Sequence, residues 1–105
     1  MSFEATLASR TVLRVGILQV ELDIPWARSL KDKRSVVKSI RDKTRRNFNV
    51  SIAEVEDQDT ITSIVIGVAM AGSDVKYILG ALEKFKESLS DWPDARFVDA
   101  QVEVI

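Results

Sequence analysis

The chain has no cysteine and no histidine, and its 105 residues include only two prolines and four glycines. Without cysteine there is no disulfide, thiolate zinc site, iron–sulfur cluster or cysteine nucleophile. Without histidine the usual general base near neutral pH, the Ser-His-Asp triad and imidazole metal ligands all fall away. Only carboxylates, Lys, Arg, Ser, Thr and Tyr remain for chemistry, and no convergent acid, base and nucleophile can be assembled from them. The sequence therefore reads as non-catalytic, with no cofactor and no metal. It also lacks an apolar run of about 18 residues and a signal-peptide pattern, which predicts a cytoplasmic protein with no membrane contact. What is present, 46% hydrophobic and 30% charged residues, describes an ordinary globular domain long enough to bury its own core. Residues 1–11 read as a flexible leader, and residues 12–105 as one domain.

A formal net charge of −1 conceals a polarised chain. Between Arg28 and Arg46 lie nine basic residues and two acids, Asp32 and Asp42, a net +7. The rest of the chain holds six basic and fourteen acidic residues, a net −8. Charge separated in this way bears on partners rather than on fold.

Leu18, Val20, Leu22 and Ile24 alternate with Gln19, Glu21 and Asp23, the pattern of a half-buried strand that Pro25 closes. Ser29 and Asp32 have capping-box spacing, and the predicted helix behind them buries Val36, Val37, Ile40, Thr44 and Phe48 until Asn47–Asn49 ends it. Residues 50–55 form a second strand, Glu56 to Asp59 a polar turn, and the β-branched run 61–70 a central strand. Ser73 is the expected cap of a second helix burying Val75, Ile78, Leu79, Leu82, Phe85 and Leu89. Trp92-Pro93 stops that helix, and Val98, Ala100, Val102 and Val104 alternate in a last strand. The order β-α-β-β-α-β predicts an α+β, ferredoxin-like sandwich, a four-stranded antiparallel sheet with two helices on one face. Strand one is apolar at both parities, with Leu13, Val15 and Ile17 besides Leu18 and Val20. The open sheet face is accordingly expected to be covered by a second subunit in a homo-oligomer.

The segments SLKDKR (Ser29 to Arg34) and FNVSIAEV (Phe48 to Val55) resemble the hallmark of the DUF503 (YlxP-like) family of small bacterial proteins. The pattern continues through Asp57–Asp59, Ile66–Ala69 and Ser73-Asp74, so the resemblance spans roughly residues 12–105. It implies a ferredoxin-like fold and no established activity. Members are often encoded among translation and ribosome-maturation factors, which implies a connection to rRNA or a ribosomal subunit. Two positions depart from the family pattern: Asp23 stands where relatives commonly have His, and Thr60-Ile61-Thr62-Ser63 replaces a frequent Leu-Trp-Gln-Arg stretch.

On a helical wheel Lys31, Arg34, Lys38, Arg41 and Arg45 form one stripe beside the apolar face. With Arg28, Lys33 and Arg46 they make a candidate phosphate-binding surface, the Arg side chains able to fork onto single phosphates. The competing reading is a solvated face neutralised by the protein's own acids or by a second copy. No aromatic residue interrupts the stripe, so recognition through backbone or shape is expected there. Trp26, beside Arg28, is either a stacking platform or a core or interface residue. Glu54, Glu56, Asp57 and Asp59 lack the glycine of a calcium loop and read as a solvated turn. Gly67 and Gly72 have P-loop spacing but Ser73 stands where the phosphate lysine belongs, and Ser35 and Lys38 match S-x-x-K without its companion motifs; both are coincidences. The function expected is a non-catalytic RNA- or ribosome-associated binding module. The alternative is a self-associating structural or protein-interaction domain.

Overall fold

Alternation along β1 (Arg14–Asp23) sets the sheet: Leu18, Val20 and Leu22 are buried on one side and Ile24 continues the row into the loop. The computed structural model describes residues 12–105, and the leader 1–11 lies outside the described residues. After β1 come α1 (Leu30–Asn47), β2 (Ser51–Glu56), β3 (Ser63–Gly72), α2 (Val75–Ser90) and β4 (Arg96–Val104). The strands form one antiparallel sheet in the order β2-β3-β1-β4. With β-α-β-β-α-β connectivity this is the expected ferredoxin-like arrangement.

The core lies between the sheet and the two helices. Ile52, Ile64, Ile66 and Val68 join the inward row of β1, and Val36, Val37 and Ile40 of α1 and Ile78, Leu82, Phe85 and Leu89 of α2 close over them. Fully burying side chains of this size contributes about 1.5–3 kcal/mol each. Phe48, just past α1, meets Phe85 of α2 edge to face at 5.7 Å between ring centroids. α2 approaches β1 so closely that a Cβ on Gly16 would sit 2.3 Å from Ile78 Cγ2, a place only glycine fills.

Three details depart from the expected boundaries. Asp74, not Ser73, caps α2, its carboxylate accepting from the Lys76 and Tyr77 N–H groups. Leu79, expected in the core, is 41% exposed on the flank of α2 beside Val102. In β4 the pairing with β1 slips between Glu21 and Leu22, so that Leu22 faces Phe97 rather than Val98. The bulge pushes Val98 out and turns Phe97 inward, breaking the alternation that the sequence suggests.

The opposite face of the sheet carries Val15, Ile17, Gln19 and Glu21 of β1, facing Ala71, Ala69, Gly67 and Val65 of β3. Val55 lies against Gly67, whose missing side chain makes room for it. Both helices pack on the other face, leaving Ile17, Val55, Ala69 and Ala71 exposed.

Candidate nucleic-acid interface

α1 starts where its orphan N–H groups find partners. The Ser29 hydroxyl accepts from the Asp32 N–H at 3.1 Å, and the Asp32 carboxylate accepts from the Arg28 N–H at 2.9 Å. That is a capping box displaced by one residue, with aspartate in place of the usual glutamate. Arg45 and Arg46 occupy the last turn, where cations complement the negative end of the helix dipole.

The inward face of α1 holds Val36, Val37, Ile40 and Thr44, together with Lys33, which is only 1% exposed. Its ammonium lies 2.8 Å from Glu54 Oε2 of β2, donates to the Thr60 carbonyl at 2.7 Å and donates also to the Asp57 carbonyl. The Glu54 oxygen is approached too obliquely for a hydrogen bond, so that contact is ionic. Lys33 therefore leaves the candidate phosphate-binding set: its three donors are directed into the protein and a phosphate cannot reach them. It instead joins the SLKDKR segment to the AEV segment, giving the two signatures a common structural purpose. The acidic turn is part of the same device. Asp57 takes a left-handed φ of 56°, which Asp tolerates, and its carbonyl and that of Thr60 point at the lysine.

The remaining candidates stay on the surface. Arg28, Lys31, Arg34, Lys38, Arg45 and Arg46 are exposed and Arg41 is half-buried. From Lys31 to Arg45 the stripe runs about 21 Å along the helix axis. Within the described residues only Lys38 of this set is paired, with Asp42 at 2.8 Å. Among the described residues no carboxylate lies within 4.0 Å of Arg28, Lys31, Arg34, Arg41, Arg45 or Arg46. The Asp42 carboxyl is held below its ordinary value by the Lys38 hydrogen bond and then by the charges of Lys38, Arg46 and Arg41. The acid thus registers the positive potential of this surface. Ser35 and Lys38, the S-x-x-K pair, point to solvent on the helix, and Gly67 and Gly72 both belong to β3, so neither arrangement forms a site.

Trp26 is 46% exposed, and its indole N–H donates to the carbonyl of Asp94 in the turn after α2. It lines a cleft with Ser35, Val36 and Ser39 of α1 and with Trp92, Pro93 and Asp94. Lys43, a cation outside the predicted stripe, stands 5.3 Å from the Trp92 ring centroid. Trp92 is legible in the sequence only as a helix terminator; its partnership with Trp26 depends on the turn, where Asp94 has φ 63°.

Of the family departures, Asp23 forms a 2.7 Å ion pair with Arg96 across β1 and β4. Among the described residues no group of three or more acids is arranged to hold a metal ion, and no helix is long and apolar enough to cross a membrane.

Fold and surface together define a small ferredoxin-like α+β protein with a cationic helix. The family model described as "Protein of unknown function (DUF503)" matches residues 15–102, so the chain belongs to that family. It is 34% identical over 80 residues to "Uncharacterized protein YlxP" of Bacillus subtilis (strain 168), covering 70% of this chain and 87% of that protein. Among solved structures it is similar to "De novo designed protein Foldit4", with a TM-score of 0.55 and 12% identity over 89% of this chain and 96% of that one. At that identity the likeness concerns the fold alone.

Proposed function

We propose that this protein is a non-catalytic, cytoplasmic RNA-binding module that holds the phosphates of a structured RNA, rRNA or a ribosomal subunit being the candidate, on the outer surface of α1. The observation that carries this reading is the set of six cations without a carboxylate within 4.0 Å among the described residues, five of them on one 18-residue helix and Arg28 just before it. A face neutralised by the protein's own acids would show them paired. Arginines predominate in the set, which suits forked contacts to phosphate oxygens.

The test is fluorescence anisotropy with labelled structured RNA and with ribosomal subunits across a salt series. Each phosphate neutralised releases about 0.9 counterion on duplex, so affinity should fall steeply with salt. Lys31→Glu, Arg34→Glu and Arg45→Glu together change three exposed side chains that have no carboxylate within 4.0 Å among the described residues. They should weaken binding, flatten the salt slope by roughly one per site lost and leave thermal melting nearly unchanged. Salt-insensitive binding, or none, overturns the reading.

A second reading, self-association through the open sheet face, is favoured by the exposed Ile17, Val55, Ala69 and Ala71. Against it, Glu21, Glu56 and Asp99 line one hollow of that same face, where an approaching copy would present like charges. An oligomer in sedimentation that Ile17→Lys dissociates would support self-association; a monomer at micromolar concentration would refute it.

A further inference from the structure

We infer that the cleft between Trp26 and Trp92 seats one unpaired base of the RNA whose phosphates α1 holds; the inference rests on that reading of α1. The chain contains two tryptophans, and both line this one cleft of about 330 Å³. Its chemistry selects a base over a phosphate. The lining combines the hydroxyl-bearing Ser35 and Ser39, the acidic Asp94, whose carbonyl accepts from Trp26, and the two indoles, with no Lys or Arg among them. A phosphate would find an acid and no cation among the lining residues, the nearest cations standing at the border of the cleft. A flat heterocycle instead finds rings for its faces and both donors and acceptors for its polar edge, as unpaired bases do in aromatic sites.

Trp26 also has the properties of a platform. Nearly half of it is exposed, yet the bond from its indole N–H to the Asp94 carbonyl holds the ring in place. A ring fixed before binding loses little freedom when a base stacks on it. The cleft also borders the cationic surface. Lys31 lies four residues before Ser35 and Lys38 three after it, so both are its neighbours on the helix surface. Lys43, over Trp92, supplies a further cation close by. A strand whose phosphates lie along the stripe can therefore turn one base over the crest of α1 into the cleft.

Because both tryptophans are in the cleft, intrinsic fluorescence reports on it directly. The probes are a hairpin RNA with an unpaired loop, the same hairpin with abasic loop positions, and a blunt duplex. The loop hairpin should quench the tryptophans, and the abasic hairpin and duplex should quench far less. Trp26→Ala should weaken loop-hairpin binding by about tenfold or more and leave duplex binding unchanged. Ser39→Phe fills the cleft from an exposed helix position and should reproduce that loss with the fold intact, whereas Trp26→Phe should keep most of the affinity. If the charge-reversed helix loses RNA while Trp26→Ala and Ser39→Phe bind the loop hairpin normally without selective quenching, the base site is overturned and phosphate binding stands. If charge reversal changes nothing, phosphate binding fails, and the base site fails with it.

Discussion

The two helices pack on the same face of one sheet, and they do so by different means. α2 buries Ile78, Leu82, Phe85 and Leu89, a continuous apolar stripe, and its surface carries charges of both signs, including the Glu83–Lys86 pair at 3.3 Å. α1 buries three aliphatic residues, a threonine and a lysine, and outside that face its charge is almost entirely positive. Hydrophobic burial accounts for α2. For α1 part of the attachment is polar: one ammonium satisfied by Glu54 and two turn carbonyls. The lesson is that cations on one helix serve two unrelated ends. Lys33 belongs to the fold, and the exposed residues around it can be exchanged without touching the core.

The largest effect should come from breaking the polar attachment. Lys33→Met leaves Glu54 without its counter-charge, and removing one partner of a buried ion pair costs about 3–5 kcal/mol. The lower end is expected, because the Glu54 side chain keeps 18% exposure. Adding Glu54→Leu should restore much of the loss, since well-packed apolar replacements of buried pairs are often neutral or better. Recovery should stop short of complete, because the Asp57 and Thr60 carbonyls still lack the donor. Urea unfolding of the single and double variants measures the coupling. A Lys33→Met variant as stable as the parent would remove Lys33 from the account of how α1 is held.

A smaller effect compares the two helix starts. Ser29→Ala and Asp74→Ala each delete a side-chain cap and should each cost about 1 kcal/mol. Asp74 accepts from two N–H groups and Ser29 from one, so the loss should be greater for α2. Thermal melting of both variants ranks them; a near-zero loss for Ser29→Ala would show that Asp32, bonded to the Arg28 N–H, carries the start of α1, and a reversed order would show that the number of capped N–H groups does not set the cost.

How far these differences can be read without coordinates varies along the chain. Strand β1 and both helices are legible because a period runs through each, and β3 because its β-branched apolar run is nearly unbroken. Lys33 is three residues before Val36, four before Val37 and seven before Ile40, so its position on the buried face is visible on a helical wheel. Its residue type argues for the surface, and only the fold brings Glu54 and the turn carbonyls to it. The β4 bulge is not legible, since Val98, Ala100, Val102 and Val104 alternate without interruption and the slip arises from pairing with β1. The Trp26–Trp92 cleft depends on contacts 66 residues apart, closed by the left-handed Asp94, for which no local pattern speaks.

The smallest effect belongs to the exposed side of α1. Asp42 and Lys38 both lie on the exposed surface, so their partnership is weakly stabilising and screened by salt. Its carboxyl titrates below the ordinary value of 3.8, the first cause being the Lys38 hydrogen bond and the next the surrounding cations. A carboxyl whose pKa is lowered by folding binds protons less readily in the native state than in the unfolded one. Whatever the pair contributes is therefore fully present above the ordinary carboxylate value and is lost as pH falls through the lowered folded value. Titration of the side-chain carboxyl by NMR should show Lys38→Met raising the Asp42 pKa most, with Arg41→Gln and Arg46→Gln raising it less. High salt should reduce the contributions of Arg41 and Arg46 more than that of the directly bonded Lys38. An Asp42 carboxyl indifferent to all three substitutions would mean that the cations of α1 do not sum to a field at its surface, and would weaken the case for phosphate binding there.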